Sequence, residues 1–179
     1  MIRPFSQATV CGDSVVFFFK SVYNGDMHRI KVVAVGGVKE SFYREAIAEY
    51  AKRLGKWAKV EIIEAEEASR IDDPAAKREA EKDGILRRVK GRMILLDVKG
   101  KKVTSEGVAE ILEKSALSGD GEITFVIGGS NGVAPEVKTR ADEILSFGDI
   151  TMPHQLFRVV LLEQLYRAEC ILHGTPYHK

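Results

Sequence analysis

From residue 27 onward, short apolar runs alternate with longer segments in which apolar residues recur every three or four positions. The short runs, rich in β-branched residues, are typical of strands, and the wider spacing is typical of amphipathic helices. The runs predict five strands: Arg29–Val35, Lys59–Glu64, Arg92–Val98, Glu122–Ile127 and Asp149–Met152. The spaced segments predict five helices: Glu40–Leu54, Asp72–Val89, Thr104–Leu117, Ala134–Phe147 and Pro153–Leu172.

This alternation predicts an α/β fold in which a mostly parallel sheet carries helices on both faces. The run Arg92–Val98 is almost entirely apolar, as expected for a central strand buried on both sides. Ligands of such sheets bind beyond the carboxyl ends of the strands. That rule selects four loops: Gly36–Gly37, Leu96–Gly100, Gly128–Gly132 and Phe147–Pro153.

The first 26 residues do not follow the alternating pattern. They contain one apolar burst, Val15–Phe19, and no small-residue cleavage site after a basic start, so they match a signal peptide poorly. We therefore expect an N-terminal extension at residues 1–26, outside the core, and a single domain at residues 27–179. Either Met27 is the natural start of the protein, or residues 1–26 are a mobile or loosely docked extension.

Composition narrows the function classes only slightly. The 179 residues include 27 basic and 26 acidic side chains, a formal net charge of +1, so any binding of RNA must come from a local patch or from dimerisation. Cys11 and Cys170 lie far apart, without metal-binding or CxxC spacing, and Cys170 is expected to be buried. No apolar run reaches the roughly 20 residues that span a bilayer. The sequence predicts a cytoplasmic, metal-free protein without disulfides or a membrane span.

The glycine-rich segment Gly128–Gly132 follows a predicted strand and precedes a predicted helix. Glycines at such a point allow a sharp turn and close approach of a ligand to the backbone. The spacing matches neither the P-loop nor the GxGxxG dinucleotide motif. The segment can be interpreted equally well as a tight packing turn or as a ligand-binding loop.

A second candidate lies where the segment Phe147–Met152 leads into the last helix. Its backbone groups could read the edge of an adenine between apolar walls, and Thr151 could cap the helix. His154 falls in the first helical turn, where the helix dipole disfavours the protonated imidazole. A purely structural turn is the competing interpretation.

The last helix is apolar on nearly every side, which predicts burial against both its own sheet and a partner subunit. Arg167 on this helix could recognise a phosphate or a base through its planar guanidinium. Tyr177 and His178 in the tail could stack on and hydrogen-bond a flipped-out base. Lys99, Lys101 and Lys102 lie on the predicted ligand side and are candidates for phosphate contacts.

Five blocks of this sequence, in order and spacing, together resemble the RlmH family: VAVGGVKE, LLDVKGKKVTSEG, FVIGGSNG, LSFGDITMPHQLFRVVLLEQLYRA and the terminal PYHK. These are SPOUT-class RNA methyltransferases that modify N3 of a pseudouridine in large-subunit ribosomal RNA. The resemblance covers residues 27–179. It implies a C-terminal trefoil knot, a homodimer built partly on the last helix, and the assembled 70S ribosome with its 23S rRNA as substrate.

The resemblance also implies the cofactor, S-adenosyl-L-methionine, and its contacts. By motif these contacts are Leu96, Gly128, Gly129, Phe147, Gly148, Asp149, Ile150, Thr151 and Met152. Methylation of N3 requires its proton to leave, and His154, His178 and water are the candidates for that route. Arg167 and Tyr177 are the candidates for positioning the base or its phosphate. Two alternatives stay open: a SPOUT methyltransferase acting on tRNA or a ribose hydroxyl, and a non-catalytic RNA-binding ribosome assembly factor.

Overall fold

The computed structural model describes residues 7–11, 14–18, 27–117 and 121–177. Its seven strands form one sheet in the order β1-β2-β4-β3-β6-β5-β7. The strands are β1 (Gln7–Cys11), β2 (Ser14–Phe18), β3 (His28–Val35), β4 (Ala58–Ala65), β5 (Arg92–Lys102), β6 (Glu122–Ile127) and β7 (Glu143–Ser146). Strands β3 to β7 all pair in parallel, which confirms the predicted sheet.

Strands β1 and β2 lie at one edge of this sheet. They pair with each other as an antiparallel hairpin, and β2 continues antiparallel along β4. The five-stranded parallel core is built entirely from residues after Met27. The division into an extension at residues 1–26 and a domain at residues 27–179 stays a prediction.

Five helices cover the two faces of the sheet, as the alternating pattern predicts. They are α1 (Ser41–Leu54), α2 (Pro74–Leu86), α3 (Ser105–Leu117), α4 (Pro135–Arg140) and α5 (His154–Leu172). Helices α1, α3 and α5 share one apolar core with alternate strand residues such as Val32, Ile94 and Phe125. Helices α2 and α4 share the opposite core with the intervening residues such as Val33 and Leu95. Successive residues of the central strands therefore face opposite cores, which explains their continuous apolar runs.

The region before α5 differs from the prediction in two elements. The predicted helix Ala134–Phe147 ends at Arg140, and Glu143–Ser146 instead forms strand β7. The predicted strand Asp149–Met152 is wrong, because these residues form the loop between β7 and α5. Pairing with β5 turns a four-residue segment with only two apolar residues into the fifth core strand, and that pairing is not a local property of the sequence.

Strand β5 also runs past its predicted end. It pairs with β7 through Ile94–Leu96, loses register, and pairs again through Lys101 and Lys102. At the break, a Cβ on Gly100 would lie 2.6 Å from the backbone carbon of Leu145, so only glycine lets the two strands pass so closely. The trefoil knot implied by the resemblance stays a prediction.

Side-chain capping differs among the helices. Asp73 caps α2 by accepting a hydrogen bond from the backbone N–H of Ala76 at 2.7 Å. The predicted cap Thr151 is wrong, because the residue before α5 is Pro153, which forms no side-chain cap. Helix α5 is instead fixed by its buried side chains Leu161, Leu162 and Leu165, each of which contributes roughly 1.5–3 kcal/mol.

Among the described residues, no helix is long and apolar enough to cross a bilayer. Cys170 is fully buried, as predicted from its place in the apolar pattern of α5.

Candidate active site

A cavity of about 530 Å³ opens at the carboxyl ends of the parallel strands. Cavities of about 300–1,000 Å³ are typical of small-molecule sites. Three loops form it: the end of β5 from Leu95 to Val98, the loop after β6 from Ile127 to Val133, and the segment from Leu145 into the start of α5. These are three of the four loops that the strand-end rule selects.

Eight of the nine residues predicted to contact the cofactor line this cavity: Leu96, Gly128, Gly129, Phe147, Gly148, Ile150, Thr151 and Met152. Asp149 does not line it. Its exposed carboxylate forms an ion pair with Lys102, whose Nζ lies 2.6 Å away. That pair also engages one of the three lysines predicted to contact phosphate.

The walls of the cavity are largely apolar. Sequence reasoning did not name most of these side chains individually; they include Leu95, Val98, Ile127, Val133, Leu145 and Phe157. The rings of Phe147 and Phe157 pack with their centroids 5.5 Å apart, which joins the β7–α5 loop to α5. Such walls suit the flat faces of a purine, and the exposed backbone of the glycine loop suits its polar edge.

Two side chains fix the shape of these loops. The hydroxyl of Ser146 donates to the carbonyl of Gly148 at 2.9 Å and accepts from its N–H at 3.2 Å. On the opposite wall, Asp97 accepts hydrogen bonds from Lys138 at 2.7 Å and from the N–H of Lys99 at 3.0 Å. Burial acts to raise the pKa of Asp97, but these two donors outweigh it, so the pKa is lowered and the carboxylate is charged.

His154 stands at the rim of the cavity, in the first turn of α5 as predicted. Burial lowers the pKa of its imidazole, and the neighbouring positive charge of Arg158 lowers it further. At neutral pH the ring is therefore neutral and has one nitrogen available to accept a proton.

Arg158, one turn after His154, is buried and anchors α5 to the sheet. Its guanidinium donates to Glu64 Oε1 at 2.9 Å and to the carbonyls of Val35 and Gly36 at 3.0 and 2.5 Å. From the sequence alone, Arg158 could be a solvated rim residue, an ion-pair partner or a contact to a phosphate or a base. Its partners lie more than 90 positions away, so no local pattern points to this contact.

The remaining predicted site residues lie elsewhere. Arg167 is thirteen residues beyond His154 on α5, about 20 Å along a helix that rises about 1.5 Å per residue. Its guanidinium pairs with Glu163 at 2.7 Å and lies 4.9 Å from the ring centroid of Tyr177. Tyr177 in turn packs edge-on against Tyr166 at 4.8 Å. His178 lies outside the described residues.

Within one chain, the predicted residues thus form two groups. One group surrounds the cavity and includes His154; the other, Arg167 and Tyr177, lies near the far end of α5. Across residues 27–117 and 121–177, no cluster of three His, Cys, Asp or Glu side chains is arranged to hold a metal ion.

Comparisons with known proteins bear on this cavity. A family model described as "Predicted SPOUT methyltransferase" matches residues 28–178. A Clostridium botulinum protein (strain Kyoto / Type A2) named "Ribosomal RNA large subunit methyltransferase H" is 48% identical over 157 residues, covering 84% of this chain and 99% of the relative. A protein of the same name from Acetivibrio thermocellus is 45% identical over 160 residues, with the same coverage.

Among solved structures, "a probable methylase family protein from Haemophilus influenzae Rd KW20" is similar at 12% identity and a TM-score of 0.48. That similarity covers 84% of this chain and 70% of the other.

Proposed function

This chain belongs to the RlmH family of SPOUT methyltransferases, and we propose that it methylates N3 of a pseudouridine in 23S rRNA within the assembled 70S ribosome. The family gives the enzyme class, and the names of the relatives support large-subunit rRNA as the substrate. The observation that carries the proposal is the cavity at the strand ends, which is lined by eight of the nine residues that the resemblance implies as cofactor contacts. A ribosomal substrate would set the reaction in the cytoplasm.

The cavity fits S-adenosyl-L-methionine by size and chemistry. Its apolar side chains suit a purine, and the loops at Gly128–Gly129 and Phe147–Met152 offer backbone donors and acceptors to the polar edges. When bound, the cofactor supplies an electrophilic methyl group on sulfur. The chain itself must hold the acceptor N3 in line with that group and shield it from water, and orientation of this kind accounts for much of the rate in such reactions.

The acceptor N3 also has to lose a proton. His154 is the best-placed group, because it stands at the cavity rim and its lowered pKa keeps Nε2 or Nδ1 free to accept a proton at neutral pH. His178 and water are the other candidates. Arg167 and Tyr177 would position the base or its phosphate by guanidinium contacts and ring stacking.

The distance along α5 favours the contribution of a second chain to this arrangement. Arg167 and Tyr177 lie about 20 Å from His154 in the same molecule, beyond the reach of one nucleotide contact. A homodimer in which the tail of one chain meets the cavity of the other would bring the two groups together. The half-buried apolar residues of α5, such as Val159, Ile171 and Leu172, suit such an interface.

Mixed dimers test this arrangement. One variant, Gly128→Arg, is expected to lose cofactor binding; the other is a truncation that lacks residues 177–179. Each is expected to be inactive alone, and mixing them should restore activity, because one of the two sites then combines an intact cavity with an intact tail. A mixture that remains inactive although heterodimers form would mean that the tail serves the cavity of its own chain. A truncation that is fully active alone would mean that the tail plays no part.

A titration calorimetry experiment tests the cofactor site directly. S-adenosylmethionine should bind the wild-type protein, and Gly128→Arg should abolish binding while the dimer persists. Unchanged affinity in that variant would show that the cavity is not the cofactor site.

A further inference from the structure

A polar cluster lies behind the rim of the cavity, on the side of His154. It consists of Gly36, Glu67, Lys77 and His154, and is called the Gly36 cluster below. Its members come from the end of β3, the β4–α2 loop, α2 and the start of α5. His154 is the one member that was predicted as a catalytic residue, and Gly36 belongs to a loop that the strand-end rule selects.

The geometry of the cluster brings a carboxylate and an imidazole over one glycine. A Cβ on Gly36 would lie 3.2 Å from Glu67 Oε2 and 3.6 Å from His154 Nε2. The two side chains therefore converge on the space that a larger residue would fill. Gly36 itself is held by its N–H, which donates to the carbonyl of Ala65 at 2.8 Å, and by Arg158.

Glu67 is held in this position by Lys77. The ammonium group lies 2.9 Å from Glu67 Oε1, and both side chains are largely buried, at 12% exposure for Lys77 and 29% for Glu67. This pairing lowers the pKa of the Glu67 carboxyl, so the carboxylate is charged. Since Lys77 binds Oε1, Oε2 is the oxygen of Glu67 that lies close to Gly36.

Besides Glu67, three cations act on the imidazole of His154. Arg158 lies on its own helix, Lys39 comes from the β3–α1 turn and Lys77 from α2, and each acts to lower the pKa of the imidazole. The dipole of α5 acts in the same direction. Glu67 is the carboxylate that opposes them.

We propose that Glu67, fixed by Lys77, is a positioning residue that stabilises His154 in its protonated form when His154 takes the proton of the acceptor. This inference rests on the proposed function for the role of His154. In the step concerned, the N3–H bond of the acceptor breaks and a new N–H bond forms on His154 Nε2. The neutral ring becomes an imidazolium, and its positive charge replaces the charge that the sulfonium loses on giving up its methyl group. Glu67 is the group that favours this charge among three cations.

The decisive test uses two variants with opposite expected effects. Glu67→Gln removes a favourable charge and should shift the titration of the His154 ring to lower pH. Lys77→Gln removes an unfavourable charge while its amide can still donate to Glu67, so it should shift the titration to higher pH. NMR of the histidine rings in the free protein measures both, with the His154 signal assigned by its loss in His154→Gln.

Two controls separate electrostatics from structural damage. Glu66→Gln changes the exposed neighbouring carboxylate and should leave the His154 titration unchanged. Lys77→Arg keeps the positive charge and should restore wild-type behaviour. If the pair has a purely structural role, the titration of His154 should stay unchanged in Glu67→Gln and Lys77→Gln, or should shift in the same direction in both. Either result would overturn the proposal.

Kinetics supply the functional readout. Because His154 must be neutral to accept the proton, activity falls as pH drops through its pKa. The acid limb of the pH–rate profile should move to lower pH in Glu67→Gln and to higher pH in Lys77→Gln. Glu67→Gln should also lower kcat by about three- to tenfold, a part of the usual general-base contribution, with KM for the cofactor changed less than twofold.

The two readouts also distinguish the proposal from the function on which it rests. If the His154 titration shifts in opposite directions in the two variants but the protein methylates no RNA, the electrostatic role of Glu67 and Lys77 is supported and the proposed reaction is refuted. Active enzyme in which Glu67→Gln changes neither the titration nor kcat would refute the role of Glu67 and leave the function intact.

Discussion

Replacing Gly128 by alanine adds a single methyl group. We expect even this small change to disturb the loop Gly128–Gly132, which is proposed to bind the cofactor. An added Cβ would lie 2.7 Å from Val133 Cγ1 and 3.1 Å from the carbonyl oxygen of Gly132. Carbon atoms in normal contact lie about 3.5–4.0 Å apart, so the loop must open by about 1 Å. Val133 cannot easily yield, because it is buried and its β-branched side chain has one strongly preferred rotamer.

The expected magnitude follows from this crowding. Overpacking of a well-packed site costs about 1–3 kcal/mol, and part of that cost is relieved by moving the backbone that lines the cavity. We expect Gly128→Ala to lower the free energy of unfolding by about 1–2 kcal/mol. Its affinity for S-adenosylmethionine should fall about tenfold or more, which corresponds to about 1.4 kcal/mol.

Gly84→Ala provides the matched control. Gly84 lies within α2, where an added Cβ would lie 3.8 Å from the guanidinium of Arg88 and 4.0 Å from the Cβ of Ala65, in ordinary contact. Alanine there should stabilise the protein by up to about 1 kcal/mol and leave cofactor affinity unchanged. Urea denaturation and titration calorimetry measure both variants. If Gly128→Ala kept wild-type stability and affinity, the close packing of the loop against Val133 would not shape the site.

Two further changes test the contacts that hold α5. Arg158→Met should lower the free energy of unfolding by about 3–5 kcal/mol in urea denaturation, because it leaves the Glu64 carboxylate and two buried carbonyls without their donor; a loss below 1 kcal/mol would refute this. His28 Nδ1 donates a hydrogen bond to Oε1 of the buried Glu169 at 2.6 Å, and this bond raises the pKa of His28 above its ordinary value of about 6.5 despite its burial. The stabilisation by this bond is therefore complete below about pH 6.5 and is lost as pH rises through the folded-state pKa of His28. Above that pKa, the free energy of unfolding of the wild type should fall more steeply with pH than that of His28→Gln. Equal slopes in the two proteins would contradict the account.

The positions of the ligand loops could be predicted because they depend on two local signals. Apolar runs mark the strands, and glycines or turn residues mark their ends, so Leu96, Gly128 and the segment Phe147–Met152 were placed at one edge of the sheet. The structure confirms the parallel sheet and brings these loops around one cavity. The assignment of individual residues to the cofactor came from the family resemblance and stays a proposal.

The segment Ala134–Phe147 shows where local reasoning fails. Its apolar residues fit a helical spacing, and nothing in the segment distinguishes one helix from a short helix followed by a strand. Strand β7 exists because Glu143–Leu145 pairs with Ile94–Leu96, and that pairing depends on the course of β5 some 50 residues earlier. A four-residue strand gives too little periodicity to detect.

The Gly36 cluster could not be predicted from the sequence for a related reason. Its chemistry depends on Glu67 and His154 meeting over Gly36, and these residues are separated by dozens of positions along the chain. Each looks ordinary alone: a charged loop residue, a histidine in a first helical turn and a glycine after a strand. Arg158 is similar, because an arginine in an apolar helix gives no sign that it will be buried against two carbonyls of another strand.

The most direct test of the proposed function is transfer of labelled methyl groups from S-adenosylmethionine to RNA. The protein would be incubated with 70S ribosomes, separated subunits, naked rRNA and tRNA from cells lacking the enzyme, and the product nucleoside identified by mass spectrometry. The account predicts N3-methylpseudouridine in 23S rRNA, formed with 70S ribosomes and not with the other substrates. Methylation of tRNA alone, or of a different atom in rRNA, would contradict it.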